Sequence, residues 1–222
     1  MAERTIAIGD IHGCSAALRA LLDIIDPGQD DVIVTLGDYV DRGDDSRGVI
    51  DQLIRLGDKC QHVPLIGNHE VMMVAALESD DLEQRDFWLH CGGQETLASY
   101  GGAIEGIPSE HMDFIKRCRR YYEISTHAFV HANYAADLPL RDQSDHDLLW
   151  RHLAELPPPH VSQKRFVVGH TPQADGEILD LGHVVCIDTF CYGSGWLTAL
   201  DVSGNGSWQA DRGGHLRFRP ED

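Results

Sequence analysis

The chain has 222 residues, 42% of them hydrophobic and 24% charged, and a formal net charge of −18. That length supports one α/β core. The lack of any run of about 18 apolar residues argues against a membrane span, and so acidic a surface argues against a general nucleic-acid binder. In chain order, "RTIAIGD" is a short apolar strand, and "SAALRALLDII" then sets Leu18, Leu21, Leu22 and Ile25 at helical spacing. "DVIVTLGD" is a second strand. "SRGVIDQLIRLG" reads as a helix with Ser46 as N-cap, Val49, Ile50, Leu53 and Ile54 on one face, and Gly57 as the stop. "HVPLIGNHE" supplies a third strand. The β-α-β-α-β order predicts parallel pairing with helices over the sheet.

Residues from about 71 to 118 read as mostly helical, with breaks at Gly92–Gly93, Gly101–Gly102 and Pro108. Strands return at "HAFVHAN" and "KRFVVGH". The Gly-punctuated stretch from His183 to Asp211 suggests antiparallel strands. "LPPPH" at 156–160 is a rigid spacer within the fold. Cys14, Cys60, Cys91, Cys118, Cys186 and Cys191 are scattered without CxxC spacing, which disfavours a disulfide framework or a thiolate zinc site. With an N-terminus lacking a secretory pattern, they predict a reducing, cytoplasmic setting.

The segment "VIVTLGDYVDRGDD" drives an apolar strand into Asp38, Asp41, Asp44 and Asp45 around Arg42. Buried unpaired carboxylates are costly, so a metal, the arginine or solvent must compensate them. Other strands end the same way, in Asp10, Asn68, His131 and His170. Sites in α/β sheets form at the carboxyl ends of strands. A glycine just before the ligand residue would allow close approach. The donors are O and N atoms without Cys, a set that suits Mn²⁺, Fe or Zn²⁺. Asp10 and His12, two apart, would face one way from an extended segment. Five ligand-bearing loops exceed what one ion needs. Two ions about 3.5–4 Å apart and sharing a carboxylate would use them all.

"GDIHG" (9–13), "GDYVDRG" (37–43) and "GNHE" (67–70), followed by "HAN" (131–133) and "GHT" (169–171), resemble the phosphoprotein phosphatase family of calcineurin-like metallophosphoesterases. The likeness runs from about residue 5 to 201. It looks closest to small bacterial and phage-type members through "GGQETLASYG" (92–101), "DLLWR" (147–151) and "IDT…YGSGWLTALD". It implies an α/β fold of two β-sheets packed as a sandwich flanked by helices, in one domain over 1–222 with the helical insert at about 71–118. It also implies that Asp10, His12 and Asp38 hold one metal, and that Asp38 bridges to a second held by Asn68, His131 and His170. By the same resemblance His69 is the general acid, Asp41 orients it, and Arg42 with Arg151 grips the phosphate. Manganese is the leading metal, with iron or zinc as alternatives. Asp44 and Asp45 lie outside the motif and read as solvated residues near a helix start.

The family usually has His-Ala-Gly where this chain has His131-Ala132-Asn133, a departure that bears on substrate fit more than on metal binding. Two metals neutralise charge and activate water, an arginine fork matches phosphate oxygens, and His69 supplies a proton near neutral pH. No Ser or Cys nucleophile is needed. Cys14 reads as packing. Tyr192 reads equally as pocket lining or packing, and the 71–118 helices as substrate recognition or cover for the sheet. His62, His90, His111, His127, His146, His152, His160, His183 and His215 read as surface or core residues. The expected activity is hydrolysis of phosphomonoesters, with a phosphorylated protein or small phosphoester as partner and no membrane. The resemblance favours serine/threonine protein phosphatases over symmetrical dinucleoside tetraphosphate hydrolases, because Asp41 and "GNHE" replace an alanine and "GNHD". An inactive binding module would need a lost ligand or acid, and none is missing.

Overall fold

The computed structural model describes residues 4–154, 156–204 and 206–217. The N-terminal start, Glu155, Asn205 and the C-terminal residues of the 1–222 span lie outside the described residues. In chain order the elements are β1 (Thr5–Ile8), α1 (Ser15–Ile25), β2 (Val32–Thr35), α2 (Ser46–Leu56), β3 (Gln61–Pro64) and α3 (Asn68–Glu78). Next come α4 (Leu82–Trp88), a π-turn (Leu89–Gly93), α5 (Gln94–Ser99), α6 (Ser109–Lys116), β4 (Tyr121–Glu123), β5 (His127–Val130) and α7 (Asp145–Leu149). The chain closes with β6 (Arg165–Val168), β7 (Leu179–Asp180), β8 (Val184–Cys186), β9 (Leu197–Asp201) and β10 (Ser207–Ala210).

Two five-stranded mixed sheets form, in the orders β10-β9-β1-β2-β3 and β4-β5-β6-β8-β7. The expected parallel pairing holds, and its register sets Thr5 opposite Val32 and Val32 opposite Gln61. The last third is not wholly antiparallel. β9 and β10 pair antiparallel beside β1, but β8 runs parallel to β6, which runs parallel to β5. Alternation along each strand explains the layers. Ala7, Val34, Phe129, Val167 and Val185 meet between the sheets. Ile6, Ile8 and Ile33 pack outward on Leu18, Leu21, Val49 and Leu53 of α1 and α2. Val130, Phe166 and Val168 pack outward on Leu148 and Leu149 of α7. The central strands β1, β2 and β8 are buried along their whole length, so they read as mainly apolar runs, whereas β3, β4 and β7 are partly exposed.

The start of α2 differs from the sequence reading. Asp45 is the N-cap, accepting from the Gly48 N–H at 2.9 Å and from the Ser15 hydroxyl at 2.6 Å. Ser46 is the first helical residue, and its hydroxyl is 3.0 Å from Thr96 Oγ1. Only Asp44 of the two is exposed, 3.4 Å from Arg212. No helix among the described residues is long and apolar enough to cross a membrane, and all six cysteines are free.

Candidate metal centre

The loops after β1, β2, β5 and β6 and the N-terminus of α3 converge on one buried cluster. Asp10, His12, Asp38, Asp41, Asn68, His69 and His131 are each at most 6% exposed. Backbone bonds hold the first two loops together: the Asp38 carbonyl accepts from the N–H groups of Ile11 and His12 at 3.0 and 2.7 Å. Five of the eight described non-glycine residues with positive φ are His12, Asp38, Asp41, Arg42 and His170. Such backbone costs about 1–3 kcal/mol per residue and persists only where the surroundings dictate it. His12 has φ 45°, so the Asp10–His12 segment turns rather than running extended. Gly37, at φ 103°, lies where a Cβ would stand 2.5 Å from Gly67 N, so this glycine lets two ligand loops touch.

Two groups of donor atoms share Asp38. One contains His12, Asp38 and His69, and the other Asp38, His131 and His170, each within 4.8 Å. Nδ1 of His12 donates to the Val40 carbonyl at 2.9 Å, Nδ1 of His131 to the Leu36 carbonyl at 2.9 Å, and Nε2 of His170 to the Trp150 carbonyl at 3.1 Å. These bonds fix the tautomers and leave the inward nitrogens bare. Burial lowers the pKa of all three, that of His170 to about 3, so the lone pairs are free at neutral pH.

Asn68 Oδ1 lies 3.0 Å from His131 Nε2 and 3.1 Å from His170 Nδ1. Acceptors thus converge with no proton between them. Asp10 Oδ2 accepts from the His170 N–H at 3.0 Å, but its buried Oδ1 has no partner. Burial, then Asp188 and Asp38, raise the Asp10 pKa well above the carboxylate range. A cation relieves every one of these costs. Asp10 falls outside both donor groups, whereas His69 falls inside one.

His69 Nδ1 donates to Asp41 Oδ2 at 2.7 Å. Asp41 also accepts from Trp88 Nε1 at 3.1 Å and from Thr96 Oγ1 at 2.7 Å. Burial opposes protonation of His69, but Asp38 and Asp41 outweigh it and raise its pKa. Arg42 lies over the Tyr192 ring, 4.6 Å from its centroid, with Nη1 3.4 Å from His12 Nε2. Arg42 and Tyr192 line a cleft of roughly 270 Å³ with Asp38, Asn68, His69, Trp150, His152, His170 and Pro172. Arg151 is not brought to Arg42. Its guanidinium pairs with Asp147 at 3.0 Å and donates to the Tyr134 carbonyl, in the neighbouring groove.

A calcineurin-like phosphoesterase model matches residues 3–202. The chain belongs to the calcineurin-like phosphoesterases. It is 32% identical over 207 residues to serine/threonine-protein phosphatase 1 of Salmonella typhimurium, covering 88% of this chain and 90% of that one. It is also 46% identical over 71 residues to a symmetrical bis(5′-nucleosyl)-tetraphosphatase of Paracidovorax citrulli, covering 31% of this chain and 24% of that one. A crystal structure of a candidate diadenosine tetraphosphatase superposes with TM-score 0.70 at 22% identity, covering 95% of each chain. This calcineurin-like phosphoesterase is therefore a metal-dependent phosphoester hydrolase, in a family built on a dinuclear divalent centre.

Several residues of the calcineurin-like site escaped the sequence. Glu70, fully buried, accepts from the N–H groups of Asp38, Tyr39 and Gly67 at 2.7–2.9 Å and of Val40 at 3.3 Å. Burial and Asp38 raise its pKa to about 7, whereas these donors favour the carboxylate. Only its place three residues after Gly67, a capping pattern, was legible. Trp88 and Thr96 come from the helical segment, and no local signal tied them to Asp41. His152 looked like an ordinary surface histidine, yet it lines the cleft.

Proposed function

We propose that the chain is a serine/threonine protein phosphatase, working as one domain whose 71–118 helices buttress the acid through Asp41. The observation that carries the chemistry is a pair of donor clusters sharing Asp38 beside the Asp41–His69 pair. Asp10, His12 and Asp38 would hold one divalent ion, and Asp38, Asn68, His131 and His170 the other. Such ions supply positive charge for the phosphoryl oxygens and a water of lowered pKa. The oxygen and nitrogen donors suit Mn²⁺, with iron or zinc as alternatives.

In this reading Arg42 pairs with phosphoryl oxygens at the mouth of the cleft, braced by Tyr192. His69 gives a proton from Nε2 to the leaving oxygen, while Asp41 fixes its ring through Nδ1. The phosphatase likeness spans 88% of the chain and the tetraphosphatase likeness 31%, which supports phosphoserine or phosphothreonine as substrate. The Mn²⁺-loaded protein is assayed side by side on phosphoserine peptides, diadenosine tetraphosphate and 2′,3′-cyclic nucleotides. The highest kcat/KM is expected on the peptides. A higher value on the tetraphosphate transfers the substrate assignment to that class.

A further inference from the structure

His152 has no part in the reading above, yet the fold holds it at the cleft. Its ring centroid lies 4.5 Å from that of His170, and Arg42, Asn68 and His69 line the same cleft. The side chain is exposed, and no hydrogen bond among the described residues engages its imidazole. Arg151, one residue earlier, pairs with Asp147 at 3.0 Å. Arg151 lines the neighbouring groove, and the adjacent His152 imidazole lines the cleft.

The backbone beneath His152 is pinned. Asn133 Nδ2 donates to the His152 carbonyl at 3.2 Å, and Thr171 Oγ1 accepts from the Leu153 N–H at 3.0 Å. Asn133 is fully buried, and its Oδ1 accepts from the Tyr134 N–H at 2.8 Å. Asn133 is the position where the resemblance has glycine, which has no side chain to reach across. The one departure in the motifs and the unassigned histidine are therefore joined by a hydrogen bond.

We propose that His152, positioned by Asn133, is a phosphate-contacting residue of this cleft, donating an imidazole N–H to a phosphoryl oxygen opposite Arg42. Imidazole carries an N–H donor in either tautomer, and a phosphoryl group offers three acceptor oxygens. The inference rests on the phosphatase reading and deepens it.

Inorganic phosphate is the probe, titrated by calorimetry into Mn²⁺-loaded protein, beside steady-state kinetics on p-nitrophenyl phosphate. His152→Ala should weaken phosphate binding about tenfold or more, the worth of a hydrogen bond to a charged group. KM should rise by a similar factor, while metal content and Tm stay at wild-type values. His152→Gln, which keeps an N–H donor, should recover part of the loss. Asn133→Gly should raise KM in the same direction by a smaller factor. Wild-type phosphate affinity in His152→Ala overturns the inference, and so does loss of metal from that variant, which would make His152 a support for His170. Both results leave the phosphatase reading standing. A wild-type protein that holds its metals and hydrolyses no phosphoester overturns that reading instead.

Discussion

Replacing His69 by Asn separates proton delivery from metal holding. His69 is almost completely buried, and its Nδ1 is spent on Asp41 at 2.7 Å, so only Nε2 faces the cleft. Nε2 stands 4.0 Å from Asp38 Oδ2. The asparagine amide can still donate to Asp41 but carries no transferable proton. Trp88 and Thr96 also remain on the Asp41 carboxylate, so two of its three side-chain donors are untouched, the third is replaced by the amide, and the fold should persist. The stability cost should be about 1 kcal/mol, typical of one perturbed hydrogen bond. Turnover on an alkyl phosphate should fall roughly 10²–10⁴-fold, the usual worth of general acid–base catalysis, or about 3–5 kcal/mol of barrier. On p-nitrophenyl phosphate, whose leaving group needs little protonation, the loss should shrink. The assay is kcat/KM on both esters, with metals per chain counted by elemental analysis. Because His69 also belongs to a donor group with His12 and Asp38, one result refutes the assignment outright: the variant loses a metal. Equal losses on both esters with metals intact would refute it too.

Chelation should abolish phosphatase activity and Mn²⁺ should restore it, with two ions per chain by elemental analysis; activity in a metal-free preparation would contradict the shared Asp38 site. Glu70→Gln should cost about 3 kcal/mol, since an amide group would face backbone donors now satisfied by a carboxylate, lowering Tm by roughly 8 °C in calorimetry. His62, its pKa lowered by burial to about 4 from 6.5, should make stability depend on acid. The unfolded chain binds the proton first, so stability is complete above pH 6.5 and declines by about 3 kcal/mol as pH falls to 4. Denaturant melts of metal-free wild type and His62→Asn should differ in slope across that window, and identical slopes would refute the burial argument.

The sequence by itself determined the parts of this protein set by local rules. Apolar runs ending in Gly-Asp, Gly-Asn or His, separated by amphipathic helices, dictated the parallel strands and put the ligand-type residues at their carboxyl ends, because period and turn chemistry are written residue by residue. The metal-ligand candidates were legible because each sits in a short motif of its own. Only the tertiary structure decided what those residues touch. Trp88 and Thr96 reach Asp41 from 47 and 55 residues away, a distance no spacing rule spans. β8 joined β6 in parallel, with Phe166 opposite Val184, because a strand's partner and direction depend on where the chain returns to the sheet, which the short run Val184–Cys186 does not disclose. Arg151 and His152 are neighbours in sequence, yet only His152 lines the cleft, because Asp147 and the Tyr134 carbonyl hold Arg151 while Asn133 pins the His152 carbonyl, contacts made within the folded connection between β5 and β6 that residue types alone do not reveal.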